Sequence, residues 1–323
     1  MFLKLIQPLF WCYGVTILLW YLLRLYPGDS SAPVRFISYI APWLLIGLVA
    51  GLGVSLVRSN SHRQRKNYLT YFMAVLLFLH SLPYLPLFLP RFEQTPPHSG
   101  ILKVMSFSVM GRNKDYPAVA QVILEEQPDL FFIQEAGVAS LRSYLADLYG
   151  AAPVYTAPGH GGFIAGRFPL AAQEVGQSRI PKVVAKTPYG PITLWTIHAA
   201  KALWKDHTMQ LRQIQKLAED IAATPGMKIV AGDFNTTDKN IPYKIMKLHL
   251  HNAHEDAGWG FGFTFPTRAR RLGAFFPFLR IDHIFYSNDL YAVSARTLSK
   301  SGGSDHLPVV AELAVKKNRE VTL

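Results

Sequence analysis

Hydrophobic positions are distributed along this 323-residue chain in two different ways. Over residues 1–97 they run almost unbroken, in three stretches at Leu5–Tyr26, Phe36–Val57 and Tyr68–Leu89. Each stretch approaches the roughly 20 residues a helix needs to cross a bilayer, so the pattern predicts three transmembrane helices. The first stretch lacks a small-residue cleavage site and two more follow, which points to a retained segment rather than a signal peptide. Tyr21, Tyr26, Tyr39, Trp43, Tyr68 and Tyr84 lie near several run ends, where interfacial aromatics collect. Pro83, Pro86 and Pro90 predict a bend or stop in the third helix.

From residue 101 the pattern changes to short apolar runs and helical stripes. "ILKVMSFSVM" reads as a strand with Val104, Ser106 and Ser108 on one face and Met105, Phe107 and Val109 on the other. "YPAVAQVILEEQ" follows with a helical stripe at Val119, Val122 and Ile123, stopped by Pro128. "PDLFFIQE" is a buried strand that ends in Glu135, completing a β-α-β unit. "GGFIAGRFPL" and "PITLWTIHAAKA" read as further strands, and His198 ends the second. Leu211, Ile214, Leu217 and Ile221 mark another helix, closed by Pro225-Gly226, and "IVAGDFN" comes directly after it. "LRIDHIFYS" and "SGGSDHLPVVAEL" each set an Asp-His pair beside an apolar run. The expected organisation is a membrane anchor at 1–90, a stiff linker at 91–100 and an α/β domain over 101–323.

Charge refines this division. The net charge of +12 splits evenly, with eight Lys and Arg against two acids in residues 1–97. "RSNSHRQRKN" (Arg58–Asn67) holds Arg58, Arg63, Arg65 and Lys66 with no acid, so the positive-inside rule places it in the cytoplasm and the later domain outside. The mild excess on that domain does not argue for nucleic acid, whose binders carry a denser basic footprint. The single cysteine, Cys12, excludes an intramolecular disulfide and any thiol chemistry in the domain.

What remains is a series of polar groups where strands begin or end: Glu135, His198, Asp233, Asn235, Asp282-His283 and Asp305-His306. One such group is unremarkable, because strand tips are commonly solvated and histidines commonly packed. Six on this spacing indicate a shared polar cleft.

In order, "MSFSVMGRN", "IQEA", "GHGGFIAGRFPL", "TIHAA", "GDFNTT", "FTFPT", "RIDHIFYS" and "GGSDHLPVVAEL" resemble the endonuclease/exonuclease/phosphatase superfamily over most of 101–314. The three apolar runs, with "RNKDY" and "GFTFPT", are similar to a membrane-anchored bacterial branch associated with teicoplanin resistance. The resemblance implies a four-layer α/β sandwich, two mixed sheets face to face with helices outside. It implies metal-dependent hydrolysis of a phosphoester, with Mg²⁺ or Mn²⁺ as cofactor. By the same resemblance Glu135 binds the metal, Asp233 positions or deprotonates the attacking water, and Asn235 hydrogen-bonds the phosphoryl group. His198 and His306 flank the scissile phosphate, Asp282 pairs with His306, and Asp305 is a second metal contact in some members. The chemistry is coherent: a phosphoester anion repels hydroxide, so catalysis consists of positioning and charge neutralisation.

One departure stands out. The family commonly has a metal-contacting asparagine where this chain has Ser108, and a serine offers a shorter hydroxyl that acts through a bridging water. Asn113 is the alternative donor from the following loop. His283 reads as packed or exposed rather than catalytic, His160 as a turn residue, and His249, His251 and His254 fit no zinc spacing. "RARRLGAFFPFL" (Arg268–Leu279) reads either as core aromatics or as a rim that meets lipid headgroups. The favoured substrate class is a lipid-linked phosphate of the cell envelope, with membrane lipids as neighbours. An extracytoplasmic nuclease and a non-catalytic scaffold are the alternatives.

Overall fold

The computed structural model describes residues 2–61, 68–89, 100–203, 207–273 and 275–316. The basic loop at 58–67 and the linker at 91–100 fall wholly or largely outside the described residues and side chains. Two compact units form, one of them over Met1–Leu89.

In that unit α1 (Phe2–Leu23), α2 (Ala32–Tyr39), α3 (Leu44–Ser61) and α4 (Tyr68–Ser81) are helical. Ile17, Leu48, Leu69, Met73 and Leu76 pack together between α1, α3 and α4. The expectation of three spanning helices is corrected here. Among the described residues one helix, Ile6–Leu23, is long and apolar enough to cross a membrane by itself. The second run breaks between Tyr39 and Leu44 and bends by 68°. Pro42 sits in that break and supplies no N–H, so Ala41–Trp43 forms a 3-10 turn instead of a continued helix. The third run stops at Ser81 after 14 residues, because Pro83 and Pro86 redirect the chain into the 3-10 turn Leu85–Phe88.

The polarity of this unit is inverted relative to a soluble bundle. Leu18, Leu22, Ile46, Val49, Phe78 and Leu79 are exposed, whereas Asp29, Arg35, Ser38 and His80 are buried. His80 Nε2 lies 2.8 Å from the Ala41 carbonyl and Nδ1 lies 2.6 Å from the Tyr21 hydroxyl. A carbonyl only accepts, so Nε2 carries the proton and Nδ1 accepts from Tyr21.

Among its described residues the second unit holds two six-stranded sheets. The first contains β1 (Ile101–Ser108), β2 (Leu130–Gln134), β3 (Tyr155–Gly159), β4 (Gly162–Gly166), β11 (Leu290–Thr297) and β12 (Val309–Val315), in the order β11-β12-β1-β2-β4-β3. The second contains β5 (Leu170–Ala172), β6 (Val183–Thr187), β7 (Gly190–His198), β8 (Met227–Asp233), β9 (His251–Asn252) and β10 (Asp282–Tyr286), in the order β5-β6-β7-β8-β10-β9. Both are mixed: β1 with β2, and β7 with β8, are parallel, and the remaining neighbours are antiparallel.

Three cores separate four layers, and strand alternation assigns side chains to them. Leu102, Val104, Leu130, Phe132, Leu194, Ile229 and Ile284 fill the space between the sheets. Met105, Phe107 and Phe131, one residue out of phase, pack under α5 (Tyr116–Glu126) and α6 (Val138–Leu141). Trp195, Ile197, Val230 and Phe285 pack under α7 (Thr208–Ala223) and α8 (Ile241–Lys247). A short α9 (Ala253–Ala257) completes the helices described. The fold is an α/β sandwich of two mixed sheets flanked by helices.

Candidate active site

Each parallel pair is a strand-helix-strand unit, so its two strands end at the same edge of their sheet. In the first sheet Ser108 is in register with Gln134, and Glu135 follows immediately. In the second sheet His198 is in register with Asp233, and Asp233 with Asp282 at the start of antiparallel β10. β12 runs antiparallel to β1 with Val309 opposite Ser106, so the segment entering β12, which carries His306, arrives at that edge too. Topology therefore brings Glu135, His198, Asp233, Asn235, Asp282 and His306 to one mouth.

The contacts there are short. His198 Nε2 lies 3.5 Å from Glu135 Oε1 and 3.6 Å from Asp233 Oδ2. His306 Nε2 lies 3.8 Å from the same Asp233 oxygen, and His306 Nδ1 lies 2.9 Å from Asp282 Oδ2. The Asn235 backbone N–H donates to Asp233 Oδ1 at 2.8 Å. Its side-chain Nδ2 donates to the Ala199 carbonyl at 2.8 Å and to Asp233 Oδ2 at 3.2 Å. Asp233 is fully buried and held on both oxygens.

Backbone requirements explain two of the glycines. At Gly232 φ is +157°, and a Cβ would lie 2.0 Å from the Ile197 carbonyl oxygen of the adjacent parallel strand. At Gly161 φ is +74°, and a Cβ would lie 2.7 Å from His198 Cβ. Gly161 also accepts the Glu135 N–H at 2.8 Å, and the Gly111 N–H donates to Glu135 Oε2 at 2.8 Å. Glu135 itself adopts φ +64°, a left-handed turn that directs its carboxylate off the end of β2.

Sequence reasoning missed several supporting residues. Gln134, fully buried, donates from Nε2 to Thr196 Oγ1 at 2.9 Å and so ties the first sheet to the second. The Ser304 hydroxyl donates to the Ser108 carbonyl at 2.6 Å and accepts the His306 N–H at 3.1 Å, which fixes the His306 turn to the tip of β1. Gln210 Nε2 donates to the carbonyls of Phe234 and Asn235. A signal was present for Gln210: it is a polar residue on the apolar stripe of α7. Gln134 also interrupts an apolar run, but nothing local identifies Thr196 as its partner.

Burial holds the His198 imidazole below its ordinary value, against the upward pull of Glu135. Burial pushes the Asp233 carboxyl up to about 7, opposed by His306 and reinforced by Asp282. For His306 burial works against the charge, but Asp282 and Asp233 overcome it and raise the imidazole to about 9. The two imidazoles are thus shifted in opposite directions, His198 down and His306 up.

Asp305 adds to the upward pull on His306, but its carboxylate is engaged elsewhere. Its Oδ2 pairs with Arg270 Nε at 2.5 Å, and its Oδ1 is buried without a hydrogen-bond partner. Asn113 does not reach into the site as a donor, since Nδ2 donates to the Gly302 carbonyl and Oδ1 accepts the Asp115 N–H. His283 is packed: burial and Arg280 lower it to about 4, and Nε2 donates to the Thr236 carbonyl. His160 Nδ1 accepts the His198 backbone N–H at 3.4 Å. His251 and His254 each have separate partners, Asn288 and the Gly260 carbonyl.

Among the described residues two groups have a metal-ligating arrangement, Glu135 with His198 and Asp233, and Asp233 with Asp282 and His306, the donor atoms of each group within 4.8 Å of one another. Hard cations such as Mg²⁺ and Mn²⁺ take carboxylate oxygens. Glu135 and Asp233 supply these, and the buried Ser108 hydroxyl at the same strand end lacks a hydrogen-bond partner. The donor set fits such an ion.

A family model described as Endonuclease/Exonuclease/phosphatase family matches residues 105–306. No curated protein matches significantly. Among solved structures, an endonuclease/exonuclease/phosphatase family protein from Bacteroides thetaiotaomicron shares 19% identity and covers 68% of this chain and all of its own, with a TM-score of 0.51. The endonuclease/exonuclease/phosphatase from Bacteroides vulgatus shares 16% identity over 67% of this chain and all of its own, with a TM-score of 0.53. A humanized D. rerio TDP2 shares 17% identity over 67% of this chain and 99% of its own, with a TM-score of 0.51. These likenesses establish the sandwich fold, and with the match across Met105–His306 this chain belongs to the endonuclease/exonuclease/phosphatase family.

Proposed function

We propose that this protein is a membrane-associated, divalent-metal-dependent phosphoesterase that acts at the outer face of the membrane on a lipid-linked phosphate or another envelope phosphoester. One observation carries the chemistry: Glu135, His198, Asp233, Asn235, Asp282 and His306, from strand ends of two different sheets, meet at one mouth. A scaffold has no need for that set.

Glu135 would hold Mg²⁺ or Mn²⁺, with Ser108 acting directly or through water and the Asp233 carboxylate close by. The ion supplies charge neutralisation for the phosphoryl oxygens. Asp233, oriented by Asn235, aligns a water for in-line attack and accepts its proton. Asn235 exchanges its longer bond to Asp233 for one to a phosphoryl oxygen. His306, kept cationic by Asp282, faces the negative charge that grows on the phosphoryl group and gives its proton to the oxygen that leaves as its bond to phosphorus breaks. His198, neutral, donates a hydrogen bond from the other side. Asp305 serves as the partner of Arg270 behind His306.

The membrane assignment rests on the first unit, where apolar side chains face outward while Asp29, Arg35 and His80 are buried. Soluble proteins rarely expose so continuous an apolar surface, and ionisable groups within membrane bundles turn inward. The basic run Arg58–Lys66 favours a cytoplasmic loop, and an extracytoplasmic catalytic domain further requires the 14-residue α4 to complete a crossing together with the turn Leu85–Phe88 that follows it. With "RNKDY" and "GFTFPT", this supports the membrane-anchored bacterial branch associated with teicoplanin resistance.

The full chain is expected to hydrolyse bis-p-nitrophenyl phosphate with Mg²⁺ or Mn²⁺ and to lose that activity with EDTA or Asp233→Asn. Inactivity with either metal, or an Asp233→Asn variant equal to the parent, refutes the enzymatic reading. An alkaline phosphatase reporter fused after Leu323 tests the topology, and silence in the envelope with activity in the cytoplasm reverses it. Competition among lipid pyrophosphates, nucleic acids and inositol phosphates then selects the substrate class.

A further inference from the structure

Beside His306 stands a loop that the proposed chemistry leaves unused. Phe265 packs its ring against His306, 4.7 Å between centroids. The Thr267 N–H donates to the Asp305 carbonyl at 2.9 Å, the Thr267 hydroxyl to the Ser304 carbonyl at 2.5 Å, and Arg270 pairs with Asp305. The base of the loop is therefore built onto the segment that carries Ser304, Asp305 and His306. Its tip has a different character. Leu272 is 76% exposed and Phe275 85%, with Arg268 and Arg271 exposed alongside. No acidic residue occurs between Gly258 and Arg280. Arg270 and Arg280 are engaged by Asp305 and Asp238, so the loop cations left to a ligand are Arg268 and Arg271.

We propose that Arg268, Arg271, Leu272 and Phe275 form a contact for the surface of an anionic bilayer at the catalytic mouth, presenting lipid-borne phosphoesters to His306. This rests on the phosphoesterase reading above and names the surface from which that site draws its substrate. Large apolar side chains this exposed enter the headgroup boundary, while flanking guanidinium groups pair with lipid phosphates. Charge complementarity selects the anionic surface: two cations are offered and the loop carries no carboxylate of its own. Distance supports the coupling, since Leu272 lies five residues from Thr267, at most about 18 Å of chain. Nucleic acid is the other polyanion that arginine and phenylalanine recognise, by base stacking. The mild charge excess of the domain favours the lipid surface over it.

The test uses the full chain reconstituted in liposomes, with Cys12→Ser and a single environment-sensitive label at Leu272→Cys. A control label at Glu174→Cys sits in the segment whose Gln177 bonds Asp220 near the end of α7, away from the mouth. On liposomes containing phosphatidylglycerol the label at 272 is expected to shift to the blue and lose access to iodide. On pure phosphatidylcholine, and at 174 on either, no change is expected. Arg268→Gln with Arg271→Gln should abolish the shift. With Leu272→Ser and Phe275→Ser it should lower turnover of a liposome-borne phosphoester by about 30-fold, from two cations near an anionic surface. Hydrolysis of soluble bis-p-nitrophenyl phosphate should stay within about twofold of the parent, because none of these residues touches the reacting atoms. An unshifted label on anionic liposomes overturns the proposal, as does a shift that answers to single-stranded DNA instead. Insertion of the label in a chain without hydrolytic activity would uphold the lipid contact and refute the phosphoesterase reading.

Discussion

Replacing Asp282 by asparagine tests how the site distributes its charge. Asp282 Oδ2 lies 2.9 Å from His306 Nδ1, and both side chains are buried. Burial alone would depress the imidazole, yet the acids around it raise it to about 9 from an ordinary 6.5. That rise corresponds to roughly 3 kcal/mol of preference for the cation in the folded chain. Asp282 is the largest of the raising influences, followed by Asp233. Its neutralisation should return His306 to its ordinary range or below. Between pH 6.5 and about 9 the folded chain binds a proton that the unfolded chain has released. The stabilisation is therefore complete below the unfolded value and fades as pH rises through the folded one. The variant should lose most of that slope and be less stable by on the order of 3 kcal/mol at mildly acidic pH. Eleven histidines are few enough for selective carbon-13 labelling and titration with EDTA present, and the signal absent from His306→Gln identifies the group. A parent titration at the ordinary histidine value, or a variant that titrates like the parent, would refute the reasoning.

Three further outcomes follow from the same geometry. His283 is held near 4, below its unfolded value of 6.5, so acidification between those two values should cost the folded state about 3 kcal/mol through this group; urea midpoints of His283→Gln should show a correspondingly shallower acid limb. Gln134→Ala strands the buried Thr196 hydroxyl and should cost about 1–3 kcal/mol, whereas Gln134→Leu combined with Thr196→Val should recover much of that loss in a double-mutant cycle. Gly232→Ala places a methyl group 2.0 Å from a backbone carbonyl and should lower the unfolding free energy by more than about 2 kcal/mol, measurable by thermal denaturation.

The elements of the second unit were legible because local pattern decides them. The phase of Val104 and Met105 assigns the two faces of β1, and Ile214, Leu217 and Ile221 mark the buried stripe of α7. Glu135, His198 and Asp233 were visible because each ends an apolar run, and a parallel pair must bring two such ends together. Legibility failed where partners are distant in sequence. Thr196 lies 62 residues from Gln134, and Arg270 lies 35 from Asp305, so no local pattern joins either pair. The first unit failed for another reason. Hydropathy counts apolar residues without regard to backbone donors, and Pro42 and Pro83 interrupt what composition alone presents as continuous helices.

The strand order has a consequence for synthesis. β12 lies between β11 and β1, so one of the most C-terminal strands described occupies the interior of the first sheet. A growing polypeptide holds Ser108, Glu135, His198 and Asp233 well before it holds the segment that closes against β1 and delivers His306. Until that strand pairs in place, the nascent molecule has only part of the proposed site and an open edge along β1. Emergence from the ribosome and completion of the proposed site are thereby separated in time, and a product truncated before His306 is expected to show no hydrolysis.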